Sequence, residues 1–460
     1  MNNKQKVNST YGVENAITPI DGRNRHKLQN LIPYFSELAL DKYRFLVEIK
    51  YLLKLSEYAV IRKFTRTELI SIYRYIDTLG KDDYQKIRKI ETETNHELMA
   101  VVKYLQQQLR KILTKDIVEM VHFGLTSDDI NNIAYALMIK KTCQNVLFPE
   151  INKIVLLLKN NAKKYKSIPM LSRTHGQLAV PTTVGKEFLI YYKRLFEVMK
   201  QFNNVTIKAK LTGNVGNLNV HKFIFPKINW LKFSQELVKS LGLEPDLVTT
   251  QIEPYDSLIS IFQNLLTINN QLLGLCVDFW IYISFNYFQQ KMIKKEVGSS
   301  ALPHKVNPIY FEGAEGGLGI ANALLEFYCR KLASSRLQRD LSDSTVRRSF
   351  GIAFGYCLLS YQSVAEALGR IEPDITKINQ DLNSHWEILS EAIQNFLKTK
   401  GYKDGYEKTK QFFRGKILLE KDIKQFVAKL KLNQEDKEKL FQLCPEKYTG
   451  YAEELVDKFL

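Results

Sequence analysis

The sequence predicts an all-α protein. Apolar residues recur at helical spacing through most of the 460 residues, strand-like alternation is scarce, and only 22 glycines and 12 prolines interrupt the pattern. A hydrophobic fraction of 45%, with 11% aromatic residues, is enough for a large buried interior, so the chain reads as globular and folded. Its length exceeds what one small core supports and points to two or three domains.

After a polar start, Thr18-Pro19-Ile20-Asp21-Gly22-Arg23 is turn-like and presents Arg23 near a helix start. Helical spacing then runs over about 31–113, broken near Gly80-Lys81-Asp82-Asp83. A second helical region, about 115–370, holds expected helices near 127–165, 183–211, 256–295 and 308–332. Several exceed the roughly 11–12 residues usual for a globular helix. Helices this long bury themselves best side by side, within one subunit or between several. Ile371-Glu372-Pro373-Asp374 marks a boundary, and the Lys- and Glu-rich remainder reads as short amphipathic helices. The expected domains are therefore an N-terminal helical domain 1–114, a central long-helix domain 115–370 and a small C-terminal helical domain 371–460.

The formal charge of +17 invites a nucleic-acid reading. Against it, Lys and Arg are dispersed, with no zinc-finger spacing, no RNA-recognition aromatic motif and no basic tail. Solvated helix faces rank first as the explanation, attraction of a small polyanionic substrate second and nucleic acid last. Cys143, Cys276, Cys329, Cys357 and Cys444 are odd in number and form no Cys-x-x-Cys pair, so buried free thiols in a reducing compartment are expected. The start, Met1-Asn2-Asn3-Lys4-Gln5-Lys6, has no apolar run, so no secretory leader and a cytoplasmic location are expected. The apolar stretch 272–288 includes Asp278 and Asn286 and reads as the core helix of a bundle, not a membrane span.

Between the long helices lie short polar segments rich in histidine. They include Thr94-Asn95-His96-Glu97, His122-Phe123-Gly124-Leu125-Thr126-Ser127-Asp128-Asp129, Ser172-Arg173-Thr174-His175-Gly176-Gln177 and Pro303-His304-Lys305. Each alone has a plain structural reading: a lone His is usually a satisfied structural residue, and Thr126-Ser127-Asp128 could cap a helix. No His-x-x-x-His spacing and no nearby Cys supports a metal site, so no metal is expected. Together, four such junctions in a helical scaffold point to one site. The segment Val297-Gly298-Ser299-Ser300-Ala301-Leu302-Pro303-His304-Lys305-Val306-Asn307-Pro308 is the most informative. Gly-Ser-Ser makes a poor helix interior and offers free backbone N–H groups, so with Lys305 it reads as an anion cradle with a reactive hydroxyl.

That loop resembles the Gly-Ser-Ser-x-x-Pro-x-Lys-x-Asn signature of the fumarase/aspartase superfamily. Within it, the chain is similar to the bacterial form of the branch that acts on succinylated purine nucleotides. The residues that carry this are 172–177, Thr249-Thr250-Gln251-Ile252-Glu253-Pro254, Pro303-His304-Lys305 and Gln338-Arg339-Asp340-Leu341-Ser342-Asp343-Ser344-Thr345. The resemblance runs from Pro19-Ile20-Asp21-Gly22-Arg23 to Tyr406-Glu407-Lys408 and Arg414-Gly415-Lys416. It implies a three-domain all-α fold whose central long helices form the core of a homotetramer, with each active site shared between subunits. It also implies a β-elimination releasing fumarate from purine-nucleotide substrates, succinyl-AMP and the succinylcarboxamide ribotide, with no cofactor, metal, nucleic acid or membrane.

By the same resemblance Ser299 is the general base, His175 the general acid and Glu312 the carboxylate that orients the acid. A serine alkoxide needs loop N–H groups and a cation beside it, which 298–305 could supply. Imidazole titrates near working pH and can protonate a leaving nitrogen. Lys305, Asn307, Thr126, Ser127 and Ser300 suit the succinyl carboxylates. Arg23, Arg339, Ser344, Thr345 and Arg348 match the phosphate contacts, since guanidinium forks and hydroxyls fit a dianion. His96, Gln251 and His122 match further substrate contacts. Arg347 is expected to face the surface, and His26, His221 and His385 match nothing. Three binding positions depart from the family pattern: Asn24 replaces an aromatic ring, Glu97 lengthens the carboxylate of Asn95-His96-Glu97, and Gly313 replaces an Asn. A superfamily lyase for a non-phosphorylated substrate would have no use for 339–348, and a catalytically dead relative would lack Ser299, His175 or Lys305.

Overall fold

The computed structural model describes residues 13–293, 301–302 and 304–460; the expectations for Ser299 and Ser300 lie outside the described residues. The helices that build the core and carry the expected site residues include α1 (Glu37–Glu57), α2 (Glu97–Leu109), α3 (Ser127–Thr142), α4 (Phe148–Lys164), α5 (Val184–Asn203), α6 (Asp256–Ser284), α7 (Ile309–Leu332), the short α8 (Ser342–Arg348) and α9 (Phe350–Arg370). At 29 residues, α6 is about 43 Å long at 1.5 Å per residue. The strands of the described residues form only two-stranded ladders: β1 (Pro169–Thr174) with β2 (Gln177–Thr183), β3 (Lys208–Ala209) with β4 (Glu244–Pro245), and β5 (Phe288–Gln290) with β6 (Ile371–Pro373). The all-α expectation holds.

The expected helices form with altered ends, for local reasons. The span 127–165 is realised as α3 and α4 joined by a π turn, Cys143–Leu147, in which the Phe148 N–H reaches the Cys143 carbonyl. Pro149 follows immediately and cannot donate, so the wider turn absorbs a break in the α-helical ladder. Helix α6 stops eleven residues short of 295, at Ser284. Asn286 adopts a left-handed φ of 59°, and the apolar run continues as β5 against β6.

The residues fall into two compact units. In the first (Met1–Glu150, Lys200–Asn269, Gly317–Ser360), α1 packs against α2 and α3. Phe262, Tyr328, Phe350 and Tyr135 form one aromatic part of its core, with ring centroids 5.6 Å apart for Phe262–Tyr328, 5.0 Å for Tyr328–Phe350 and 5.9 Å for Tyr135–Phe350. At one level of this core the Asn269 amide donates to Asn322 Oδ1 at 2.9 Å and approaches Cys357 Sγ at 3.5 Å, joining α6, α7 and α9. The second unit is Ile151–Met199, Asn270–Gly316 and Tyr361–Leu460. Its short C-terminal helices bury Leu382, Leu389, Ile393, Leu397 and Val427 against Leu171 of β1. Among the described residues no helix is long and apolar enough to cross a membrane. None of the five cysteines is in a disulfide; Cys143, Cys276 and Cys357 are buried and Cys329 and Cys444 half-buried.

Candidate active site

In the first unit, three buried ion-pair networks position the expected binding residues. Glu97 opens α2 directly after His96, whose Nδ1 accepts the Met99 N–H at 3.2 Å and caps the helix. The Glu97 carboxylate is 2.7 Å from the buried Arg44 guanidinium and also pairs with Arg348. Burial would push this carboxyl up, but Arg44 and Arg348 more than offset it and hold it at about 2. Arg44 also donates to Asn131 at 2.9 Å and pairs with Asp41 at 3.2 Å, so α1, α2 and α3 meet at one guanidinium. Asn95, just before, takes a left-handed φ of 49° and ends the preceding helix.

The segment from His122 to Asp129 forms the second network. His122 sits at a φ of 62° and its Nδ1 lies 2.6 Å from the fully buried Glu48. Burial lowers the affinity of His122 for a proton, but Glu48 outweighs it and the net shift is upward. Asp129 Oδ2 accepts the Thr126 N–H at 2.9 Å, while Oδ1 takes the Thr212 and Gly213 N–H groups at 3.0 and 3.2 Å and the buried Lys210 ammonium at 2.9 Å. One carboxylate thus fixes both the Thr126–Ser127 turn and the 210–213 strand exit. Gly124 has a φ of +66°, and a Cβ there would lie 2.6 Å from the His221 ring. His221, unassigned from sequence, is fully buried, 2.8 Å from the Tyr51 hydroxyl, which also donates to the Phe123 carbonyl at 2.7 Å. Burial drives the imidazole down to about 4, so it is a neutral packing and orienting group behind this segment.

The third network corrects an expectation. Arg347 does not face the surface; it is 2% exposed. Its guanidinium lies 2.8 Å from Asp128 and 3.3 Å from Asp343, both buried, and the Tyr255 hydroxyl donates to Asp343 at 2.6 Å. Arg339 stands farther out, 3.8 Å from each of the same carboxylates, and donates to Gln251 Oε1 at 3.3 Å. Gln251 in turn donates to Asn214 Oδ1 at 2.6 Å. Helix α8 carries Ser344, Thr345 and the half-exposed Arg348. Arg23 and Asn24 lie in the turn at 21–24, with the Asn24 N–H bonded to the Pro19 carbonyl at 3.0 Å and Arg23 exposed.

In the second unit, His175 and Gly176 are the two central residues of the β1–β2 hairpin turn, with φ of 53° and 73°; Thr174 pairs with Gln177 across it. Positive φ at both positions matches the twist of the flanking strands. The imidazole is exposed at the tip and has no hydrogen-bond partner among the described residues. Arg173 below it stacks 4.2 Å over the Phe285 ring. Lys305 is exposed, its N–H bonded to the Leu302 carbonyl at 3.0 Å, and Asn307 is half-buried two residues before α7. Glu312, in the first turn of α7, accepts the Trp280 indole N–H at 3.1 Å, and nothing lies within 4 Å of a Cβ placed on Gly313. Among the described residues no cluster of three His, Cys, Asp or Glu side chains could hold a metal.

A family model described as "Lyase" matches residues 35–321, and one described as "Adenylosuccinate lyase C-terminal" matches residues 335–449. In solved structures the fold is similar to fumarate lyase from Mesorhizobium sp. BNC1 (TM-score 0.77, 17% identity, 94% of this chain and 97% of that one). It is also similar to 3-carboxy-cis,cis-muconate lactonizing enzyme from Pseudomonas putida (TM-score 0.76, 16% identity, 94% and 96%). The family model, which spans well over half of the chain, defines a lyase. Adenylosuccinate lyase of Legionella pneumophila strain Philadelphia 1 is 43% identical over 456 residues, covering 97% of this chain and 98% of that protein. The proteins of the same name from Dictyostelium discoideum and Escherichia coli K12 are 43% and 39% identical, over 95% and 96% of this chain and 96% and 98% of theirs. The chain belongs to the adenylosuccinate lyase family.

Proposed function

We propose that this lyase cleaves adenylosuccinate to AMP and fumarate, and the succinylcarboxamide ribotide to its carboxamide and fumarate, with Ser299 as general base and His175 as general acid. The Ser299 alkoxide takes the proton from the carbon next to the scissile bond. That C–H electron pair becomes the new C=C bond, the C–N pair stays on the departing nitrogen, and His175 delivers a proton to it. Lys305, Asn307, Thr126, Ser127 and Ser300 hold the succinyl carboxylates and the charge that builds on them. Arg23, Arg339, Ser344, Thr345 and Arg348 take the phosphate, with His96, Gln251 and His122 as further contacts and Asn24, Glu97 and Gly313 shaping the nucleotide side. The observation that carries this reading is the imidazole of His175, presented at a hairpin tip with no partner of its own among the described residues.

The enzyme acts as a cytoplasmic homotetramer whose subunits share each site, in three domains, 1–114, 115–370 and 371–460. Supporting this, the long helices leave large apolar side chains exposed: Leu156 on α4, Phe196 on α5, Trp280 on α6 and Phe327 on α7. Glu312 would orient His175 of another subunit. Purified protein, without added metal, is expected to release fumarate from adenylosuccinate. Ser299→Ala and His175→Ala should each abolish nearly all turnover in a protein that still folds. A wild-type-like rate in Ser299→Ala would sink the base assignment, and no fumarate from either purine substrate would sink the activity.

A further inference from the structure

Two arginines of the 339–348 segment face different tasks, and the second was not readable as functional from sequence. Arg339 takes the substrate phosphate in the proposed reaction, and the role inferred for Arg347 rests on that reading. Arg347 is buried, with its guanidinium also 5.2 Å from the Tyr135 ring and 5.9 Å from the Tyr255 ring. It takes Asp128 at 2.8 Å and Asp343 at 3.3 Å, one from the N-terminus of α3 and one from α8. Those carboxylates need neutralising, since a buried charge without a partner is costly. They also keep acceptor capacity: Asp128 Oδ2 and Asp343 Oδ1 have no hydrogen-bond partner among the described residues. Arg339, at 3.8 Å from both, is the nearest alternative cation.

We propose that Arg347 is a positioning residue for the phosphate subsite: by holding Asp128 and Asp343 together it keeps Arg339 from collapsing onto them and leaves that guanidinium for the nucleotide. A planar guanidinium can bridge two carboxylates at once, which one ammonium does less well.

Binding of AMP and of adenosine by calorimetry tests this without relying on turnover. Arg347→Met is expected to weaken AMP about tenfold, the loss of one charge-assisted contact, and adenosine less than about twofold. In steady state the KM for adenylosuccinate rises by a similar factor while kcat holds within about threefold. Arg347→Lys should fall between the two. The neutral cluster Asp128→Asn/Asp343→Asn/Arg347→Met, with nothing left to draw Arg339 inward, should bind AMP within about threefold of wild type. If Arg347→Met does not fold, the neutral cluster and Arg347→Lys decide, and a neutral cluster that still binds AMP tenfold weaker overturns the proposal. Equal losses for AMP and adenosine, or none for AMP, also overturn it. Wild-type protein that releases no fumarate but shows this binding pattern would refute the activity and leave the positioning role standing.

Discussion

Glu97 is held between two guanidinium groups, and its ionisation is part of what keeps α2 in place. Its carboxyl is held at about 2, below the ordinary 4.5, because Arg44 and Arg348 outweigh the burial that would raise it. A depressed folded value stabilises above the unfolded one, so the contribution is complete above about pH 4.5 and fades as pH falls toward 2. Glu97→Gln is therefore expected to cost about 2 kcal/mol at pH 7 and much less at pH 3, read from urea melts at the two pH values. An equal cost at both would show that packing, not charge, is lost. Single residues were unevenly legible in the sequence. Among the residues that the motifs single out, Glu97 pairs with Arg348 and Gln251 with Arg339. Arg347 adjoins Arg348, which suggests the surface, yet it stands four residues after Asp343 on the inner face of α8. His221 carried no local signal at all, since its partners Tyr51 and Phe123 are remote in sequence.

At the scale of elements, the helices were legible and their ends were not. Periodicity reports a buried face and cannot mark where α6 gives way to β5, because Tyr287 and Phe288 are as buried after the helix as Phe279 is within it. The β1–β2 hairpin escaped notice for a related reason: Pro181 argues against a strand, and His-Gly is not the usual Asn-Gly turn. That turn aims the imidazole through backbone conformation, so Gly176 is a point of control. Its φ is +73°, and a Cβ would meet nothing within 4 Å, so Gly176→Ala brings backbone strain without a clash. The expected stability loss is about 1 kcal/mol, or about 2 °C in Tm, while kcat falls at least about tenfold as the His175 ring is re-aimed. Activity that drops no further than stability predicts would count against the aiming role.

For the whole molecule, sequence conveyed fold class and family, while the sharing of each site between subunits rests on the resemblance alone. Helix periodicity cannot distinguish an apolar stripe buried within a chain from one reserved for a neighbour. Mixing inactive Ser299→Ala and His175→Ala subunits addresses this directly. If sites draw on different subunits, co-refolded mixtures regain a sizeable fraction of wild-type turnover, up to about a quarter for random assembly with two residues from separate chains. Mixtures that stay as inactive as their parents would place the two residues in one subunit. The Asn269–Asn322–Cys357 contact bears on the same scale. Apolar helices can slide past one another by a turn, about 5.4 Å, with little change in the area they cover. Here such a slip would strand two amides in a dry core. The contact therefore works as an axial depth stop: whatever joins these helices from outside meets them at one fixed height.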